Sequence, residues 1–108
     1  MIPKRNRLPI PEFRNQRTRV IKTDLFGARW IPNELGFNRF AILISGKIIP
    51  LSVNRHLFKR KIASILEKWP NLSVDLSISG LAPLKNAKFS DINSAIIVIY
   101  DIIKKDKK

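Results

Sequence analysis

Between Ser52 and Ser79 the apolar residues change their period, and this change limits what the chain can fold into more than any other feature. Phe58, Ile62, Ile65, Leu66 and Trp69 fall at offsets 0, 4, 7, 8 and 11, which is one stripe of an amphipathic helix. Pro70 closes that helix. In "SVDLSIS", residues 73–79, the spacing becomes two. Val74, Leu76 and Ile78 are expected to face inward and Asp75, Ser77 and Ser79 outward, as in a half-buried strand.

Upstream, β-forming residues recur in "LFGARWI", 25–31, and in "RFAILIS", 39–45, with "PNELG" between them. The spacing predicts two strands that are antiparallel neighbours in a hairpin or meander. Downstream, Ser90 is the predicted cap of a closing helix. Ile92, Ala95, Ile96, Ile99, Ile102 and Ile103 stand at offsets 0, 3, 4, 7, 10 and 11, although the β-branched run "IIVIY" would also suit a strand. The elements add up to an α+β fold: a small α/β sandwich with a mostly antiparallel sheet, a basic helix connecting two strands, and a C-terminal helix. With 108 residues and 44% hydrophobic content, residues 1–108 suit a single domain.

Twenty-one Lys and Arg against eight Asp and Glu give a net charge of +13, which internal pairing cannot cancel and which points to a polyanionic partner. Residues 1–24 carry Lys4, Arg5, Arg7, Arg14, Arg17, Arg19 and Lys22 against Glu12 and Asp24. Pro3, Pro9 and Pro11 forbid a continuous helix there. The expectation is an extended basic arm pinned by Leu8, Ile10 and Phe13, the alternative being a disordered solubilising tail. Residues 104–108 form a basic tail expected to fray.

On the helix, Lys59, His56 and Arg60 follow Arg55 at about 40°, 100° and 140° around the axis. Arg55, His56, Lys59 and Arg60 are therefore predicted to form one cationic strip beside the buried stripe, suited to successive phosphates. His56 has no second histidine and no evident carboxylate to orient it, so a phosphate or base contact, or an inert surface position, suits it better than general-base chemistry. Without cysteine there is no thiol nucleophile, disulfide framework or Cys-ligated zinc, and a reducing, cytoplasmic setting is expected. No nucleophile elbow, phosphate-cradling Gly loop, paired catalytic carboxylates or metal-ligand spacing is present, so no catalytic residue and no metal ligand is assigned. No stretch approaches the ~18 apolar residues of a membrane span.

These residues resemble a known family, the protein subunit of bacterial ribonuclease P. "IPKRNRLPIPEF" is similar to its opening stretch, "RFAILISGK" to its strand and the lysine pair after it, and "VNRHLFKR" to its basic helix. "VDLSISGLAP" and "FSDINSAI" are similar to its later strand, loop and last helix. The departures are local. The family's Arg-Asn-Arg reads Arg55-His56-Leu57, its closing Arg-Glu reads Ala63-Ser64, its first lysine after the strand is Gly46, and the segment after Phe13 looks shortened for the family's first helix.

The resemblance implies a ribonucleoprotein endonuclease that removes the 5′ leader of precursor tRNA, with Mg²⁺-dependent catalysis by the RNA subunit. Its fold would carry a left-handed β-α-β crossover through the basic helix. It places Arg55, His56, Lys59 and Arg60 on the catalytic RNA and Phe13, Lys47, Arg39 and Phe40 on the leader side of precursor tRNA. No protein partner is expected. Two other readings of the same charge are a ribosomal or other structural RNA-binding protein and a protein that binds anionic membrane surfaces. The second conflicts with a cationic strip bordering a stripe needed for the core, and with an arm that is not an apolar amphipathic helix.

Overall fold

A computed structural model describes residues 2–9, 13 and 17–106. Four strands, β1 (Arg19–Lys22), β2 (Phe26–Pro32), β3 (Arg39–Leu43) and β4 (Val74–Gly80), form one sheet in the order β1-β2-β4-β3. Two helices, α1 (Ser52–Leu66) and α2 (Phe89–Asp106), pack on it, and short 3-10 turns lie at Lys4–Asn6 and Ala82–Asn86. The α+β class, the basic connecting helix and the closing helix are as expected.

The strand order corrects the predicted hairpin. β2 and β3 are not neighbours, because β4 lies between them, antiparallel to β2 (Trp30 opposite Leu76) and parallel to β3 (Phe40 opposite Leu76). Two asparagines supply the reason. Asn33 takes the Ser73 hydroxyl on its side-chain oxygen at 2.8 Å, and its amide N–H bonds the Ser73 carbonyl at 2.8 Å. Asn38 donates to the Pro70 carbonyl at 3.0 Å and accepts from the Leu72 amide at 2.9 Å. The loop between β2 and β3 is thus bonded to the chain entering β4 and draws that strand into the centre. A parallel β3–β4 pair needs a long crossover, which α1 provides.

β4 is buried at every position from Val74 to Ile78, Asp75 and Ser77 included, so the half-buried strand expected from its alternation is corrected. Asp75 persists there by pairing: Arg39 and Asn33 donate to its carboxylate, as a buried charge requires. β1 corrects a second expectation, since 19–22 belongs to the sheet and not to an arm. It pairs with β2 antiparallel and buries Ile21.

α1 buries Ile62, Ala63 and Leu66, with Phe58, Ile65 and Trp69 partly buried against the core. Trp69 sits in the turn after the helix, its amide bonded to the Leu66 carbonyl at 3.1 Å. α2 buries Ile92, Ile96, Ile99 and Ile103. Each full burial is worth about 1.5–3 kcal/mol, which outweighs the weak helix propensity of a β-branched run. Ser90 lies in the first turn of α2 and is not its cap. Asp91 instead reaches back to accept from the Lys88 amide at 3.1 Å, close to the positive end of the helix dipole. Lys104 to Asp106 are helical, so the frayed tail expected from residue 104 does not begin there; residues 107–108 lie outside the described ones.

Candidate nucleic-acid interface

β3 is a sheet edge. The N-terminal segment lies along its free side through a parallel bridge between Arg7 and Phe40, with the Leu8 amide on the Phe40 carbonyl at 2.9 Å. α1 passes beside the same edge, because its buried residues must face the sheet. Between these three segments runs a groove of about 430 Å³ with an apolar floor that includes Ala41, Ile42 and Ala63. Arg7, His56, Lys59 and Arg60 line it. The last three are exposed, rooted on a rigid helix, and free to meet anionic oxygens without ordering a loop. Lys59 also borders a second hollow with Ser45, Ser79 and Gly80.

Arg55 does not line this groove, which corrects the four-residue strip. Its Nη1 donates to the carbonyls of Ile49 and Pro50 at 2.8 and 2.9 Å, and the guanidinium fastens the turn that leads into α1. A Cβ on Gly46 would lie 3.4 Å from that nitrogen. Leu57 is exposed and nothing in the structure explains it.

The residues expected on the leader side do not gather. Phe13 is buried at 4% exposure and Phe40 at 6%, so neither ring is open to a base, correcting both expectations. Phe40 faces the core, its ring 5.7 Å from that of Trp69 in an edge-to-face contact. Strand alternation puts Arg39 on the opposite face, where it is paired with Asp75. Lys47 alone of the four is exposed, in the turn after β3, its amide on the Ser45 hydroxyl at 3.0 Å.

On that outer face two cations stand out that sequence reasoning did not single out for the site. Arg29 and Lys22 are exposed beside the small residues Gly27, Ser77 and Ser79, with Arg29 opposite Ser77 and Lys22 opposite Gly27. Alternation could have revealed Arg29, which must point away from the face of Ala28 and Trp30. The remaining arm cations take separate places. Lys4 and Arg5 form the first 3-10 turn, with Arg5 4.9 Å over the Phe37 ring; Arg17 is exposed; Arg19 lies over Trp30 at 5.1 Å. Arg14 lies outside the described residues. Among the described residues no three His, Asp or Glu side chains come together to hold a metal ion, and no helix is long and apolar enough to cross a membrane.

A rigid groove with cations on its walls and an apolar floor, in a chain of net charge +13, defines a small α+β nucleic-acid-binding protein. The family model described as Ribonuclease P matches residues 4–104, and the chain belongs to that family. With it come RNA binding and tRNA processing as the family's field of action. Among solved structures, the RNase P protein of Staphylococcus aureus is similar at 21% identity and a TM-score of 0.80, over 92% of this chain and 95% of that one. The RNase P protein from Thermotoga maritima is similar at 13% identity and a TM-score of 0.72, over 86% and 93%. At these identities the likeness is one of fold. No curated protein sequence matches significantly.

Proposed function

We propose that this chain is the protein subunit of ribonuclease P, holding the catalytic RNA and the 5′ leader of precursor tRNA while the RNA cuts the phosphodiester bond. The observation that carries this is the convergence of Arg7, His56, Lys59 and Arg60 on one groove between α1 and the β3 edge. Several fixed cations on a preformed surface neutralise backbone phosphates and release counterions. This groove takes the catalytic RNA. The outer sheet face, with Arg29, Lys22 and the nearby Lys47, takes the leader, its small residues letting a single strand approach the backbone. Mg²⁺ belongs in this scheme to the RNA subunit, whose phosphates bind it.

The test is reconstitution. Purified protein added to a bacterial ribonuclease P RNA at low Mg²⁺ restores cleavage of a precursor tRNA at the mature 5′ end. No stimulation, together with tight binding to ribosomal RNA, would favour a structural RNA-binding role instead.

A further inference from the structure

The cations of α1 and of the turn that follows it divide between two flanks. His56, Lys59 and Arg60 meet the β3 groove, whereas Lys61 and Lys68 project on the side of α2. There a second groove of about 490 Å³ runs between the helices, lined by Lys68, Trp69, Phe89, Asn93, Ile97 and Tyr100 among others. Its walls are unusual for a surface that only meets water. Phe89 is 50% and Ile97 48% exposed. Phe89 lies with the Lys61 ammonium 5.8 Å over its ring, and Tyr100 with the Lys104 ammonium 5.9 Å over its own. The Tyr100 ring also stands edge-on to Trp69 at 5.1 Å. No acidic side chain lines the groove.

Aromatic faces set among fixed ammonium groups are what unpaired nucleotides require: the rings stack on bases of any identity and the cations meet the phosphates between them. We propose that this α1–α2 groove is a second RNA-docking surface, taking a short single-stranded segment with bases on Phe89 and Tyr100 and phosphates on Lys61 and Lys68. An apolar peptide would bring no charge to Lys61, Lys68 and Lys104, and an acidic one would meet the lysines but bring nothing flat to stack on Phe89 and Tyr100. Single-stranded RNA satisfies both. The surface is separate from the β3 groove, so α1 is gripped on two sides.

Titration of the full-length protein with a ten-nucleotide oligouridylate, followed by amide chemical shifts, tests this. Shifts are expected at Phe89, Asn93, Ile97 and Tyr100. Phe89→Leu, which keeps the apolar surface and removes the ring, weakens binding roughly fivefold or more, and Phe89→Tyr restores it. Phe89 is half exposed, so neither change threatens the fold. Lys59→Ala with Arg60→Ala leaves the Phe89 and Ile97 shifts in place, which separates this surface from the one proposed for the catalytic RNA; a failed reconstitution leaves it untouched. Shifts confined to the β3 groove overturn the proposal. So does undiminished oligonucleotide binding by Phe89→Leu, or sedimentation with anionic phospholipid vesicles that Phe89→Leu preserves and Phe89→Ala abolishes.

Discussion

Arg39 holds Asp75 from two directions, Nε donating to Oδ1 at 2.9 Å and Nη2 to Oδ2 at 2.7 Å, across the parallel pair of β3 and β4. The Asp75 side chain is 4% exposed and that of Arg39 20%. This is a buried, forked pair, and removing one partner strands the other charge. Arg39→Ala is therefore expected to destabilise the fold by about 3–5 kcal/mol, measured by urea denaturation. The double replacement Arg39→Ala with Asp75→Ala recovers part of that loss. A cost under about 1 kcal/mol would place the pair among ordinary surface ion pairs.

The β3 groove predicts a salt signature. Replacing Lys59 and Arg60 by Ala lowers the log-log salt slope of RNA binding by about 0.7–0.9 for each phosphate no longer neutralised. Fluorescence anisotropy across a range of KCl concentrations reads this directly, and an unaltered slope would remove α1 from the interface.

Arg55 should behave in the opposite manner. Its two carbonyl bonds fasten the turn before α1, so Arg55→Ala costs on the order of 1.5–3 kcal/mol of stability and leaves the salt slope as it was. Thermal melts and anisotropy on one preparation separate the two effects.

Asn38 is 7% exposed and ties the loop before β3 to Pro70 and Leu72. Asn38→Ala leaves the Pro70 carbonyl and the Leu72 amide without this partner, and is expected to cost about 1–3 kcal/mol. Hydrogen exchange should quicken first at Leu72 and Val74. Exchange that quickens evenly along the whole chain would contradict a local role.

The parts of this fold legible in the sequence were those with strong periods. The stripe from Phe58 to Trp69, the Val74–Leu76–Ile78 run and the isoleucines of the last helix each appear where expected, because burial of one face dictates their spacing. Strand order was not legible, since it is fixed by Asn33 and Asn38 bonding to a segment more than thirty residues away, an interaction no local pattern records. β1 was hidden by its own charge, having Arg19 and Lys22 at its ends and only Ile21 buried.

The site divides in the same way. Helical angles brought His56, Lys59 and Arg60 together correctly. They could not show that Arg55 would meet carbonyls lying five and six residues earlier. Phe40 and Arg39 were expected on one surface, yet adjacent strand residues face opposite ways, and period alone did not show which face held the core.

The central position of β4 also has a consequence for synthesis. A nascent chain that has emerged only as far as α1 can close the β1–β2 ribbon, but β3 has no strand to lie against, because its sheet partner follows it by some thirty residues. The wall that faces His56 and Arg60 forms only when β4 slots in. A ribosome-bound fragment that ends at α1 therefore lacks the sheet pairing that holds this wall, and the groove is completed only once most of the polypeptide has been made.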